Sequence, residues 1–179
     1  MIGKSLAALV LYAAAFGAAA DSVGVKAPPL ALMDLDGRPI DAATLRGKIV
    51  VLDFWASWCA PCVAGLPALG KLQERFAGKV AIVGVTLDNA DTTIQAPELK
   101  VKAFVTRHPV SWPLTEMTPQ FNSDYGAVLG LNGGQIVSPK GLVMASLPSW
   151  VVIDSNGIVR RVETVSEAEM EKEVTALAR

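Results

Sequence analysis

Two cysteines stand three positions apart in Trp58-Cys59-Ala60-Pro61-Cys62, and the 179 residues hold no others. They sit where two periodicities meet. Before them, Ile49 to Phe54 is a continuous apolar, β-branched run broken by one acid, Asp53, and bounded by Gly47-Lys48. Such a run predicts a strand buried on both faces. After them, Val63, Leu66, Leu69, Leu72 and Phe76 recur at steps of three and four. That spacing predicts a helix burying one stripe and closed by Gly78. A strand that feeds a helix through a pair of thiols predicts an α/β chain with its site at a carboxyl strand end.

The rest of the chain extends this pattern. Val80 to Leu87 reads as a second buried parallel strand. Pro97 opens a helix that ends before Pro109, Trp112-Pro113-Leu114 reads as a short extended piece, and Phe121 to Leu129 as a turn or two of helix. Trp150 to Ile153 and Ile158 to Val162 flank Asp154-Ser155-Asn156-Gly157, which predicts a hairpin. Ser166 followed by Glu169 has the spacing of a capping box before a last helix. Upstream, residues 21–48 are rich in Pro, Gly and Asp and predict a short hairpin leading into the core. The whole predicts a small α/β sandwich around a central mixed sheet flanked by helices. The length suits one domain, taken as residues 21–179.

Residues 1–20 read as a signal peptide. Lys4 gives a positive start, Ser5 to Phe16 is apolar or small, and Ala18-Ala19-Ala20 offers a cleavage site before Asp21. The apolar run is short of the roughly 20 residues a membrane span needs; an uncleaved anchor is the alternative. Either way the domain is expected outside the cytoplasm, in a periplasm or its equivalent. Formal net charge is −1 and no basic block occurs, so no nucleic-acid partner is expected.

An exported protein stabilised by disulfides usually closes long loops with them. A pair three apart constrains little and points to chemistry. At a helix start, unpaired N–H groups and the partial positive charge favour a thiolate on the first Cys. The second lies one turn along, able to attack a mixed disulfide on the first. The spacing predicts an exposed first sulfur and a shielded second. Pro61 is tolerated because an early helix position needs no N–H donor. A zinc site would need two more ligands, and the one histidine, His108, precedes Pro109 at a predicted helix end as a surface or capping residue. No metal is expected. Asp53, alone in a buried strand, is expected to have a raised pKa through desolvation.

The segment Val51-Leu52-Asp53-Phe54-Trp55-Ala56-Ser57-Trp58-Cys59-Ala60-Pro61-Cys62 resembles the active-site segment of thioredoxins. The entry from Ala27-Pro28-Pro29 to Lys48, with Asp36-Gly37 and Gly47-Lys48, resembles the exported TlpA/ResA-like redoxins. The resemblance spans roughly residues 24–126 and 147–178. It implies a thioredoxin fold, no cofactor, protein disulfides or dithiols as substrates, and a membrane or periplasmic partner that recharges the dithiol. Several members reduce apocytochrome c thiols before haem attachment. By the same resemblance, Pro67 matches the proline that kinks the active-site helix and Pro148 the cis-proline. Asp53 matches the buried carboxylate that takes the proton of the resolving thiol, Cys62. Trp58, Pro61, Pro148 and Ser149 fall where substrate binds, with Trp150 beside them, while Trp55 reads as core.

The chain also departs from that pattern. Gly65 stands where the branch commonly has Glu, which leaves Asp53 as the expected lone buried acid near the thiols. Ser149 replaces a common Thr. About twenty residues, Ala127 to Ser146, intervene where a few are usual; that stretch is expected to govern partner choice, with a passive surface insertion as the alternative. Two other readings stay open. A thioredoxin-fold peroxidase wants Thr or Ser three residues before its reactive Cys, where this chain has Ala56. A non-enzymatic metal-delivery module wants a histidine as third ligand.

Overall fold

In a computed structural model of the chain, the described residues are 22–90, 96–131, 136, 146–164 and 166–179. The leader-like segment and most of the stretch 127–146 lie outside them. Eleven named elements follow in order, including a 3-10 turn at Asp88–Ala90. They are α1 (Ala42–Leu45), β1 (Ile49–Trp55), α2 (Ala60–Arg75), β2 (Val80–Thr86), α3 (Pro97–Arg107), β3 (Leu114–Glu116), α4 (Pro119–Val128), β4 (Ser149–Ile153), β5 (Val159–Thr164) and α5 (Glu167–Leu177). The strands form one sheet in the order β3-β2-β1-β4-β5. β1, β2 and β3 run parallel, β4 runs antiparallel to β1, and β5 runs antiparallel to β4.

β1 is central, and all seven of its residues are buried. Successive side chains of a strand point to opposite faces, and the two cores sort accordingly. Ile49, Val51 and Trp55 pack with α2, α3 and α5 through Cys62, Leu66, Leu69, Val101, Phe104, Met170 and Val174. Val50, Leu52 and Phe54 pack with Phe121, Tyr125 and Val128 of α4. Asp53 shares the parity of Val51 and Trp55. It therefore sits on the face that carries the cysteine helix.

The local expectations hold where one periodicity governs. The stripe Leu66, Leu69 and Leu72 is buried, Phe76 caps α2, and Gly78 follows at φ 81°. The C-terminal hairpin closes as an Asx turn, with Asp154 Oδ1 accepting from the N–H groups of Asn156 and Ile158 at 2.9 Å. The N-terminal hairpin is smaller than expected. It is a turn with one bridge, Met33 to Pro39, in which Asp34 Oδ1 accepts the N–H groups of Asp36 and Arg38. α1 was not anticipated; Asp41 caps it by accepting from Ala43. The capping box at Ser166 does not form: Ser166 makes no side-chain cap bond, and Glu169 pairs instead with Arg161 and Lys172. Among the described residues, no helix is long and apolar enough to cross a membrane. From the intervening stretch, Ile136 is described and is fully buried in the α4 core.

Candidate active site

The dithiol lies just past the carboxyl end of β1. Trp55 closes the strand in the core at 1% exposure, and Ala56 to Trp58 turn the chain toward α2. A buried carboxylate holds this turn. Asp88, fully buried beyond the end of β2, accepts the Ser57 N–H at 2.8 Å, the Ser57 hydroxyl at 2.5 Å and the Thr86 hydroxyl at 2.6 Å. Asp88 was not singled out from the sequence. The available signal was an acid directly following a predicted buried strand at the end where parallel sheets place their sites.

Cys59 is the N-cap of α2, and its Sγ accepts the Cys62 N–H at 3.3 Å. An orphan helix donor thus points at the first sulfur, the arrangement that stabilises a thiolate there. Cys62 lies within the first turn, and the two are disulfide-bonded with 5.3 Å between α-carbons. Residue exposure in the disulfide form does not separate the two cysteines as expected. Cys59 and Cys62 are 5% and 4% exposed, because the linked pair packs into the core cluster with Trp55 and Leu66. Their difference lies in the helix cap. Around them Ala60 and Pro61 are exposed, and Trp58 is 48% exposed, offering a flat apolar surface beside the disulfide.

Asp53 lies under α2, 2% exposed, opposite Trp150 on β4 and Gly84 on β2. Burial pushes its carboxyl up to about 7. The Trp150 indole pulls against that rise without closing a full hydrogen bond, and the negative charge of Glu167 adds to it. Trp150 is therefore not a groove residue as the sequence suggested; it is 2% exposed, packed at the register of Asp53. Gly84 is needed on the other side. A Cβ there would collide with a Leu114 methyl and approach the indole nitrogens of Trp55 and Trp112 to 3.2 and 3.4 Å.

The Leu147–Pro148 bond is cis. Since Ser149 pairs with Phe54, Pro148 stands at the carboxyl end of β1, the end that carries the dithiol. Ser149 is fully buried, and its hydroxyl donates to the Ser146 carbonyl. Its side chain is turned into the protein, and its backbone lies between Phe54 and Thr164 in the sheet, so Ser149 offers no exposed surface to a substrate. His108 caps the end of α3 and stacks on Phe104 at 4.5 Å between ring centroids. Pro67 lies inside α2.

A mixed five-stranded sheet, a CxxC pair capping the helix after its central strand and a cis-proline at the same edge define a thioredoxin-fold dithiol protein. The redoxin family model matches residues 22–177. The thioredoxin-like protein YneN of Bacillus subtilis is 29% identical over 84% of this chain and 78% of its own. The thiol-disulfide oxidoreductase ResA of Geobacillus thermodenitrificans is 32% identical over 80% of this chain and 70% of its own. A thiol:disulfide interchange protein of Chlorobium tepidum superposes with a TM-score of 0.67 at 23% identity, covering 87% of this chain and 97% of that one, and shares the fold. The chain belongs to the redoxin family, as one of its thiol–disulfide oxidoreductases.

Proposed function

We propose that the protein is an exported reductant of protein disulfides, with Cys59 as nucleophile, Cys62 as resolving thiol and Asp53 as proton acceptor. The observation that carries this reading is the Cys62 N–H aimed at Cys59 Sγ from the start of α2. It favours the thiolate at Cys59 over Cys62. The Cys59 thiolate attacks one sulfur of a substrate disulfide and displaces the other as a substrate thiolate. Cys62 gives its proton to Asp53 and attacks Cys59 Sγ. The second substrate thiolate leaves, and the Cys59–Cys62 disulfide remains. The substrate gains two electrons, which a partner dithiol, membrane-bound or periplasmic, must return.

Trp58 and Pro61 supply the exposed surface against which a substrate chain lies. Pro148, at the cis bond that leads into β4, marks the end of the sheet beside which it lies. Export rests on the leader-like residues 1–20. The reductant direction, and apocytochrome c thiols as a substrate class, rest on the likeness to ResA-like redoxins.

Two measurements test this. Cys62→Ser is expected to accumulate mixed disulfides at Cys59 that mass spectrometry detects, whereas Cys59→Ser forms none. Labelling of Cys62 before Cys59 by an alkylating agent at mildly acidic pH would reverse the roles. Equilibration with thiol buffers is expected to place the potential nearer the roughly −270 mV of a reducing dithiol than the roughly −120 mV of a strong oxidant. A value near the latter would overturn the direction while leaving the exchange chemistry in place.

A further inference from the structure

The end of the sheet opposite the dithiol holds a cavity of about 430 Å³. Val50, the second residue of β1, pairs in register with Ile153, the last residue of β4, and both line it. Seven residues of β1 separate this end from the cysteines, roughly 20 Å at the rise of a strand. Leu45 of α1 completes an apolar floor that belongs to the core on the α4 side. The walls come from the segment at Lys26, the turn Arg46-Gly47-Lys48 after α1, and the turn between β4 and β5.

The rim is cationic. Lys26, Arg46 and Lys48 all line the cavity, and among the described residues none of the three makes an ion pair. Lys26 Nζ donates to the Asn156 carbonyl at 2.6 Å, which ties the N-terminal segment across the turn and leaves the charge in place. One carboxylate shares the wall, Asp154, and it is already engaged. Its Oδ1 accepts the N–H groups of Asn156 and Ile158, and its Oδ2 pairs with Arg160 at 2.7 Å. Asp41, next to Ala42 on the wall, caps α1. The fold thus brings Lys26 to Arg46 and Lys48 in a chain whose net charge is −1. Three like charges around one opening repel one another, a cost that a bound anion removes.

We propose that this cavity binds a small amphipathic anion, a carboxylate or phosphate monoester carried on a short alkyl or aryl body. Small-molecule sites are concave, about 300–1,000 Å³ in volume, mostly apolar, and oriented by a few polar groups. Here the floor of Leu45, Val50 and Ile153 takes the apolar body. The rim takes the head group through charge-assisted hydrogen bonds from Arg46, Lys48 and the remaining donors of Lys26. A cation of the same shape is repelled. The site stands apart from the dithiol and does not rest on the role proposed for it.

The test titrates the full chain, labelled at isoleucine, leucine and valine methyls, with sodium decanoate below its micelle concentration. Saturable NMR shifts are expected at Leu45, Val50 and Ile153, and none with the decyltrimethylammonium ion at the same concentrations. The double variant Arg46→Gln, Lys48→Gln is expected to bind decanoate more weakly by on the order of tenfold. Ala42→Phe, at an exposed position on the cavity wall, is expected to weaken binding with all three charges kept. Disulfide-exchange rates of these variants should stay at the wild-type level, which reports an intact fold. Equal binding of the ammonium ion, or an unchanged affinity in the double variant, overturns the proposal. So does binding to phosphatidylglycerol vesicles without a saturable shift from free decanoate, which would assign the three cations to a bilayer surface instead.

Discussion

A carboxyl group pushed up to about 7 binds a proton in the folded chain at pH values where the unfolded chain has released it. For Asp53 the unfolded value is near 3.8, so the folded state takes up the extra proton between the two. Stability is undiminished below the lower value. It declines as pH rises and carries the full penalty above the upper one. Three units correspond to roughly 4 kcal/mol, and a buried amide retains part of the desolvation cost. Asp53→Asn is therefore expected to raise stability by about 2 kcal/mol at pH 8 and by little at pH 4, checked by urea unfolding at both. It should also slow reduction of a disulfide substrate at neutral pH. Equal midpoints at pH 8 would mean that Asp53 is ionised at no cost. The lone acid in an apolar run was legible as a buried group. Its neighbour Trp150 was not, because it reaches Asp53 only through strand pairing.

The site depends on how elements end. Asp88, beyond the end of β2, holds the turn out of β1 through three accepted hydrogen bonds. Asp88→Ala strands an N–H and two hydroxyls, and is expected to cost about 2–4 kcal/mol with a loss of exchange activity. Ser57→Ala removes the hydroxyl bond alone and is expected to cost about 1 kcal/mol; equal losses would argue against the clamp. Two helix starts offer a sharper contrast. Thr118 caps α4 by accepting the Phe121 N–H at 3.1 Å, whereas Ser166 makes no such bond at α5. Thr118→Ala is expected to lose about 1 kcal/mol and Ser166→Ala only a few tenths. The spacing of Ser166 and Glu169 suggested the reverse emphasis. It failed because Arg161 and Lys172 draw Glu169 away, a competition that short-range spacing does not contain.

At the scale of the whole molecule, two cores share one sheet, and the dithiol belongs to the one beneath α2, α3 and α5. The opposite core takes in Ile136 from the long connection before Pro148. Ile136→Ala is expected to cost about 2–4 kcal/mol, read by thermal or urea unfolding. A loss under about 0.5 kcal/mol would detach that residue from the core. The sequence by itself determined the elements whose signal lies within a few residues: the buried strand from Ile49 to Phe54, which the structure extends to Trp55, the stripe of α2, the turn at Asp154 and the dithiol at a helix start. Periodicity and turn chemistry are local, and they survive whatever the chain packs against. Tertiary structure alone decided that Asp88 grips Ser57, that Trp150 stands against Asp53, that both cysteines are buried, and that the Glu167 carboxylate lies beside Gly65. Those are contacts between separate elements, set by sheet order and helix packing, and no spacing along the chain encodes them.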